Sequence, residues 1–354
     1  MQTPVDRPTR VTAHSGGLAQ LGERLAGSQK VRGSNPLSST PIHTMSAAEA
    51  TSCELAWLDG RFLSRPELAI PVGDAGFVLG ATVTEQLRTF AGRLFLADDH
   101  GRRFAESCRI VGIQPPWPVA DLLAAADHVA ATNHRLGAVS ADLGLVMFAT
   151  PGDLAAQHEG RGGRPRVAIH TFQLAFCLWA DAYDRGVSLR TVRVTQVPES
   201  CWPLAAKVRS RLHYHLADRE AHAAEPGARA VLAHADGRIS ETSTANVAIV
   251  TAGGIATPPA GDALGGVSLA CARGLAASLG IPWQERSLTA ADLAAADEIL
   301  LTSTPSCVLP VVRFDGGAVG TGTPGPVFRR LLDAWSGMVG LDIADQARRE
   351  RVRP

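Results

Sequence analysis

The sequence predicts an α+β protein of two domains. Several pairs of short apolar segments are joined by tight-turn residues such as Asp-Gly, which is typical of β-hairpins. Other segments repeat apolar residues every three or four positions, as amphipathic helices do. Strands and helices do not alternate strictly, so a wholly parallel βαβ fold is not expected. A chain of 354 residues with 45% hydrophobic residues is long enough for two domains with substantial cores.

The composition excludes several classes of protein. The 34 basic residues are balanced by 34 acidic ones, which argues against nucleic acid or an anionic membrane as the main partner. No apolar run reaches the roughly 18 residues of a membrane span. The six cysteines show no CxxC pair or metal-ligand spacing, which favours reduced thiols in the cytoplasm and no metal site. Only two residues are lysines, Lys30 and Lys207, beside 32 arginines.

Residues 1–44 differ from the rest of the chain. They are rich in Ser, Thr, Gly, Pro and Arg and have little apolar periodicity, so we expect a disordered segment. Residues 16–40 resemble the peptide that results when a transfer-RNA gene is translated. We therefore expect residues 1–44 to be a non-native extension and the native chain to begin at Met45, with an Arg-rich transit peptide as the less favoured alternative.

The first domain is predicted to span residues 53–172. Two hairpins are expected, one around Asp59-Gly60 and one around Ala91-Gly92. Asp98 or Asp99 is expected to cap the following helix, whose apolar positions include Phe104 and Cys108. A second helix is predicted over 119–136, and strands are predicted over 141–149 and 166–172.

The second domain is predicted to span residues 183–340, after an interdomain loop at 173–182 and before a tail at 341–354. A helix is expected after Lys207, because Val208, Leu212 and Leu216 recur every four residues. Asp236-Gly237 is expected to form a type I′ hairpin turn. The other predicted elements are a strand at 187–195, a hairpin at 246–257, a helix at 265–279 and strands at 298–303 and 308–314.

Lys207 is the first candidate for chemistry. A lysine amine attacks carbonyl groups when burial or nearby positive charge lowers its pKa, and Arg209 and Arg211 supply such charge. Most lysines are solvated surface residues. Here arginine has replaced lysine at every other basic position after residue 30, which suggests that position 207 requires a primary amine.

Three segments are candidates for binding an anion such as phosphate. Gly265-Gly266-Val267-Ser268 opens a predicted helix, where backbone N–H groups and the Ser268 hydroxyl can bind an anion. Thr304 ends a run of hydroxyl residues after a strand, and Arg103 lies on the helix after Asp98. Each has a commoner explanation, as a helix cap, a polar turn or a solvated arginine.

Glu241 follows the Asp236-Gly237 hairpin in the segment GRISETSTANV. An exposed strand-edge carboxylate is the commoner explanation, and a partner for a protonated ring nitrogen is the functional one. A Schiff-base lysine, a phosphate site and an acid opposite a pyridinium belong together in pyridoxal-phosphate (PLP) catalysis. The set therefore indicates this cofactor more strongly than any single member does.

The order of these motifs resembles the class IV (fold type IV) PLP-dependent aminotransferases, a family of branched-chain and D-amino-acid aminotransferases and 4-amino-4-deoxychorismate lyase. The resemblance runs from about Trp57 to Leu332 and includes WLDGRFL, LGGVSLACARGLAASLGIP and LLTSTPSCVLPV. It implies a small domain, a larger pseudo-barrel domain, an active site between them and a homodimer.

The resemblance also implies roles for six residues. Lys207 would form the Schiff base with the cofactor and move a proton, and Glu241 would bond the pyridine nitrogen. The phosphate would be bound by Arg103, Val267, Ser268 and Thr304. The implied reaction transfers an amino group between an amino acid and a 2-oxo acid.

Three departures from the family pattern concern the substrate. Thr84 and Gln86 flank Glu85 where branched-chain enzymes have an aromatic residue, and Leu212 replaces a tyrosine. Pro305, after Thr304, has no backbone N–H for a substrate carboxylate. A lyase of the aminodeoxychorismate type and a non-catalytic PLP-binding homologue therefore stay as alternatives.

Overall fold

A six-stranded sheet forms the first part of the fold. The computed structural model describes residues 53–136 and 142–351, so the expectations for residues 1–44 and for Met45 lie outside the described residues. The strands are β1 (Leu55–Leu58), β2 (Arg61–Ser64), β3 (Val83–Phe90), β4 (Arg93–Leu94), β5 (Leu143–Thr150) and β6 (Arg166–Gln173). Their order is β2-β1-β6-β5-β3-β4, with antiparallel pairing throughout.

Two long helices, α2 (Ala97–Val111) and α3 (Val119–Leu136), pack on this sheet. A short helix, α1 (Ala75–Val78), precedes β3. Phe104 on α2 and Leu122 on α3 pack against Leu87 and Leu145 of the sheet, and all four side chains are buried. This apolar layer holds α2 firmly beside β3, which matters because both elements supply residues to the site.

The second sheet has nine strands and contains a closed ring. The strands are β7 (Val187–Thr191), β8 (Arg229–Ala233), β9 (Ile239–Thr242), β10 (Asn246–Thr251), β11 (Gly254–Thr257), β12 (Trp283–Glu285), β13 (Glu298–Ser303), β14 (Cys307–Phe314) and β15 (Gly317–Ala318). Six of them form the ring β10-β13-β14-β7-β8-β9, which closes where Glu241 pairs with Asn246. The predicted α+β fold with a pseudo-barrel is therefore confirmed.

Six further helices accompany this sheet: α4 (Ala182–Arg185), α5 (Leu212–Ala224), α6 (Val267–Ser278), α7 (Ala290–Ala294), α8 (Pro326–Val339) and α9 (Ile343–Glu350). The segment predicted as a tail, 341–354, thus includes α9, whose Ile343, Ala344 and Ala347 are buried in the core. Within the described ranges no helix is long and apolar enough to cross a membrane. The domain limits 53–172 and 183–340 stay a prediction.

One predicted hairpin turn has a different geometry. Asp59 and Gly60 both have positive φ, 49° and 88°, as a type I′ turn requires. At Asp236-Gly237 only the glycine does, with φ 86°. Gly237 N donates to His234 O, and His234 N donates to Arg238 O, so the loop has three residues. The type I′ prediction for Asp236-Gly237 is wrong, because a type I turn followed by a left-handed glycine joins these strands equally well.

Two predicted helix starts also need correction. The residue before α2 is Leu96, in the left-handed region at φ 51°, and neither Asp98 nor Asp99 is the cap. Both lie in the first turn, where their negative charges interact favourably with the helix dipole. Helix α5 begins at Leu212, because Val208 instead pairs with Val83 at the start of β3.

The leucines whose four-residue spacing indicated helix α5 do not form its buried face. Leu212 and Leu216 are exposed. Ala217 and Ala221 are buried instead, against β8. The helix lies close to the sheet, and only small side chains fit between them. The buried positions of α5 are therefore alanines rather than leucines.

Candidate active site

Lys207 is positioned by hydrogen bonds of its backbone. Lys207 N donates to the Ser107 hydroxyl on α2 (3.0 Å), and Lys207 O accepts from Thr84 N on β3 (2.9 Å). Arg209 N donates to Thr82 O (2.9 Å), just before the same strand. The segment before α5 is therefore fastened to the first sheet, although it belongs to the second half of the chain.

All six residues predicted from the sequence line one cavity of about 460 Å³. They come from α2, the segment before α5, β9, the start of α6 and the turn after β13: Arg103, Lys207, Glu241, Val267, Ser268 and Thr304. The cavity lies where the first sheet meets the ring of the second. Residues as far apart as 103 and 304 are thus brought together as expected, while their individual roles remain predictions.

The Lys207 amine has the properties of a nucleophile. Burial lowers its pKa from 10.5 to about 8, and the charges of Arg103 and Arg211 contribute to this, partly offset by Glu85 and Glu241. The described residues provide no hydrogen bond or ion pair to this amine. A substantial unprotonated fraction near neutral pH leaves the amine free to attack a carbonyl group.

Glu241 is held by neutral hydrogen-bond donors. Its Oε1 accepts from the Tyr214 hydroxyl (2.7 Å), and its Oε2 accepts from Asn246 Nδ2 (3.1 Å). Burial raises the pKa of Glu241, which the bond from Tyr214 and the charge of Lys207 only partly offset. Among the described residues the carboxylate therefore has no ion-pair partner, and it is suited to a ligand that brings a cation.

The N-terminus of α6 opens onto the cavity. Gly266 is the N-cap residue, and a Cβ at this position would come within 1.9 Å of Asn246 Oδ1, so only glycine fits. Val267 and Ser268 form the first turn, where N–H groups point towards the cavity end of the helix. This geometry provides the backbone donors of an anion site.

Arg103 is fixed beside this helix end by a buried carboxylate. Its Nε and NH2 groups donate to the two Glu85 oxygens (2.9 and 2.6 Å), and NH1 donates to Gly265 O (3.0 Å). His100 Nδ1 also lies 2.9 Å from Glu85 Oε1. Burial alone would raise the pKa of Glu85, but Arg103 and His100 lower it to about 2. Glu85 is therefore ionised and holds Arg103 at the cavity wall.

The turn after β13 contributes hydroxyl groups and is supported from behind. Thr304 lines the cavity, and Ser303 and Ser306 share a hydrogen bond between their hydroxyls (2.8 Å). Arg88 NH1 donates to Pro305 O (2.7 Å), and the Tyr183 hydroxyl donates to Ser306 O (2.9 Å). Two buried side chains thus fix the backbone of this turn from the core.

The cavity fits the expected PLP. Thr302, beside Thr304, is buried with no hydrogen-bond partner for its hydroxyl among the described residues, and it lines the cavity. A phosphate group would supply that partner while it accepts from the N-terminus of α6. Glu241 and Lys207 provide an anion for a ring nitrogen and an amine for a carbonyl. In the ranges the structure describes, no group of three or more His, Cys, Asp or Glu side chains could hold a metal ion.

Sequence reasoning did not assign three residues that contact the candidates. Asn246 binds Glu241 because the two residues pair across β9 and β10, and Tyr214 reaches Glu241 from α5. Glu85 holds Arg103. The short loop between residues 241 and 246 could have indicated the first contact, because a hairpin places such residues opposite each other. The other two contacts carry no local signal.

Known proteins resemble this chain over most of its length. The family model described as amino-transferase class IV matches residues 82–314. D-alanine aminotransferase of Bacillus licheniformis is 29% identical over 279 residues, which cover 78% of this chain and 94% of that protein. The enzyme of the same name from Staphylococcus haemolyticus is 25% identical over 282 residues, 79% of this chain and 96% of that protein.

Solved structures are similar in fold. The branched-chain amino acid aminotransferase of Escherichia coli superimposes with a TM-score of 0.74 at 24% identity, over 81% of this chain and 95% of that one. The branched-chain aminotransferase of Thermoproteus uzoniensis with norvaline gives 0.72 at 27% identity, with the same coverage. The chain belongs to the class IV aminotransferase family, as a PLP-dependent transaminase that moves an amino group between an amino acid and a 2-oxo acid.

Proposed function

We propose that Lys207 binds the PLP carbonyl and then acts as the proton-transfer group of the transamination. The observation that carries this proposal is the position of the amine, which shares one cavity with Glu241, Arg103 and the N-terminus of α6. Its pKa of about 8 suits both tasks, since a free amine attacks a carbonyl and accepts a proton near neutral pH. Bound PLP supplies an electron sink for the negative charge that develops at the substrate Cα.

The other residues hold and orient the reacting groups. Glu241 would hold the ring nitrogen in its protonated form, and Tyr214 and Asn246 fix the carboxylate. The phosphate would be bound by Arg103, the N–H groups at Val267 and Ser268, and the Thr304 hydroxyl. Lys207, as a free amine, would take the proton from the substrate Cα. Its backbone bonds to Ser107 and Thr84 hold the segment that carries this amine at the cavity.

The test is to reduce the protein with borohydride in the presence of PLP. Because Lys30 and Lys207 are the only lysines, we expect label at Lys207 alone by peptide mass spectrometry. Lys207→Ala should lose the visible absorption band and the label, and activity should fall about 10²–10⁴-fold. Lys207→Arg is the matched control, since it keeps the charge but has no primary amine. A reducible band that survives in either variant would contradict the proposal.

D-alanine is the first amino donor to test, because the curated relatives are named for it. A panel of D- and L-amino acids with 2-oxoglutarate identifies the donor and its chirality from glutamate formation. Pyruvate released from an aminodeoxychorismate-type substrate without an amino acceptor would instead identify a lyase.

We propose a homodimer in the cytoplasm. The family resemblance supports the dimer, and so do exposed apolar side chains close to the Lys207 segment. Phe77, Leu79 and Leu212 are 72%, 63% and 70% exposed, and Gly80 O, next to Leu79, accepts from the Ser210 hydroxyl. The six free cysteines fit a reducing compartment. Light scattering after size-exclusion chromatography should give twice the chain mass.

A further inference from the structure

A buried glutamine stands behind the carboxylate that is suited to a ring nitrogen. Gln196 lies between β7 and Lys207, is 2% exposed, and its backbone N–H donates to Ala233 O (2.9 Å). Its side-chain amide hydrogen-bonds to Tyr214, the residue that donates to Glu241. A buried amide has to place each of its hydrogen bonds inside the protein, so the way it is turned determines which neighbours donate and which accept.

The orientation of this amide is fixed by its neighbours. Val197 N donates to Gln196 Oε1 (2.9 Å), and because a backbone N–H is always a donor, this oxygen is the accepting end of the amide. The Nε2 group therefore donates to the Ser240 hydroxyl (3.0 Å) and to the Tyr214 hydroxyl (3.2 Å). Ser240 donates its own hydrogen to Asp262 O (2.5 Å). Both hydrogens of Nε2 are thus used, and both hydroxyl oxygens accept from it.

The direction of the Tyr214 hydroxyl follows from this amide. Its oxygen accepts from Gln196 Nε2, so its single hydrogen is left for the other neighbour, Glu241 Oε1, at 2.7 Å. Burial and the negative charge of Glu241 raise the pKa of Tyr214, so the hydroxyl keeps this hydrogen. Glu241 Oε1 is therefore the acceptor in this bond.

The second oxygen of Glu241 is constrained in the same way. Asn246 Nδ2 donates to Leu264 O (2.8 Å), a group that can only accept, and also to Glu241 Oε2 (3.1 Å). A protonated Glu241 would face these two donors and would find no acceptor in them for its own hydrogen. The hydrogen bonds thus favour the ionised carboxylate and oppose burial, which raises the pKa of Glu241.

We propose that Gln196 is a positioning residue, which turns the Tyr214 hydroxyl towards Glu241 and so keeps the proton on the ring nitrogen of the cofactor rather than on the carboxylate. This inference rests on the proposed role of Glu241, because Gln196 acts through that carboxylate. Without the donor from Tyr214, the carboxylate becomes more basic and competes for the proton. A protonated ring is the better electron sink, so the position of this proton affects the rate of proton removal from the substrate Cα.

The test reverses the direction of the hydroxyl. Gln196→Glu keeps the size of the side chain but replaces the Nε2 donor by an acceptor, to which Tyr214 can turn. Gln196→Met has a similar size and offers neither a donor nor a strong acceptor, so Tyr214 keeps Glu241 as its acceptor. Tyr214→Phe removes the hydroxyl altogether. We therefore expect Gln196→Glu and Tyr214→Phe to have similar effects, and Gln196→Met to have a smaller one.

Two measurements report these effects without turnover. In PLP-free protein, carbon NMR of the Glu241 carboxyl, assigned with Glu241→Gln, should give an acid dissociation constant about 10-fold lower in Gln196→Glu and Tyr214→Phe than in wild type. In PLP-loaded protein, nitrogen NMR of isotope-labelled PLP should move from the protonated towards the unprotonated ring value in the same two variants, and kcat should fall about 10-fold. Lys207 and Arg211 also affect the pKa of Glu241, and both are unchanged in every variant.

The controls separate this inference from the proposed function. Gln284→Glu makes the same chemical change at an exposed position of β12 and should behave as wild type. An unaltered Glu241 dissociation constant in a folded Gln196→Glu protein would overturn the inference. Equal effects of Gln196→Glu and Gln196→Met would overturn it too, because packing rather than hydrogen-bond direction would then matter. Failure of wild type to bind PLP, or an unprotonated ring in loaded wild type, would contradict the proposed function instead, and the titration of PLP-free protein would still test the hydrogen bonds.

Discussion

Two buried carboxylates stand close to the cavity, and their environments are opposite. Glu85 on β3 contacts two groups that carry or can carry positive charge, Arg103 and His100, and its pKa falls to about 2. Glu241 on β9 accepts hydrogen bonds from neutral donors, among them Tyr214 and Asn246, and burial raises its pKa. Similar burial thus gives shifts of opposite sign, because the nature of the partner decides which effect dominates.

This difference in environment distinguishes a carboxylate that supports the structure from one that is suited to the reaction. Glu85 has all its counter-charge inside the protein, so it stabilises the fold and fixes Arg103. Glu241 is provided with hydrogen bonds but not with a close cation, so it favours a ligand that supplies one. A protonated pyridine nitrogen is such a group, and PLP would give Glu241 the partner that Arg103 gives Glu85.

The largest effect is expected from Glu85→Gln. Removing the charge leaves Arg103 without its counter-ion in a buried position, and breaking such a pair costs about 3–5 kcal/mol. Chemical denaturation should show this loss of unfolding free energy, together with weaker PLP binding. Glu106→Gln on α2 is the matched control, because its pair with Arg109 is exposed and should matter little. Equal stability of the two variants would show that the cluster around Glu85 is not a structural ion pair.

A somewhat smaller effect is expected from Glu241→Gln, and it should concern catalysis rather than stability. Loss of the charge opposite the ring nitrogen should lower kcat about 10²–10³-fold, a size typical for one preorganised electrostatic group. The PLP-free protein should be at least as stable as wild type, because a buried charge without a cation has been removed. Single-turnover rates and thermal unfolding measure the two properties. A stability loss as large as that of Glu85→Gln would remove the distinction between the two carboxylates.

The smallest effect is a pair of opposite pH trends in the PLP-free protein. The Glu85 pKa is lower in the folded state, so its contribution to stability is present above pH 4.5 and is lost as the pH falls towards about 2. Between pH 5 and pH 4 the loss is about 0.7 kcal/mol. The Glu241 pKa is higher in the folded state, so its contribution falls as the pH rises. On acidification, the free energies of unfolding of wild type and Glu85→Gln should therefore converge. As the pH rises, the free energy of unfolding of Glu241→Gln should increase relative to that of wild type.

Local signals in the sequence predicted most of the elements. The hairpin at Asp59-Gly60 follows from two residues that tolerate positive φ, and α3 follows from its periodicity. The same signals failed at Val208 and at Asp98. In the first case pairing with Val83 replaced the helix, and in the second the preceding turn made Leu96 the cap position.

In the candidate site, too, the sequence predicted some features and not others. Lys207 could be singled out because lysine is otherwise nearly absent, and the resemblance to a family implied roles for Arg103, Glu241, Val267, Ser268 and Thr304. The contacts of these residues could not be predicted from residue types alone. Arg103 reaches Glu85 across 18 residues, and Tyr214 reaches Glu241 across 27. Turn and capping preferences act over a few residues only, so such contacts depend on how the sheets pack.

The sequence by itself determined that the chain has an α+β fold, that Lys207 is its reactive amine candidate and that the matching phosphate and ring-nitrogen residues occur in order. The tertiary structure alone decided which charges are balanced. Glu85 neutralises Arg103 because α2 packs on β3, and Glu241 meets Asn246 because the barrel closes there. Electrostatic partners depend on distance in space, which only the packed chain defines.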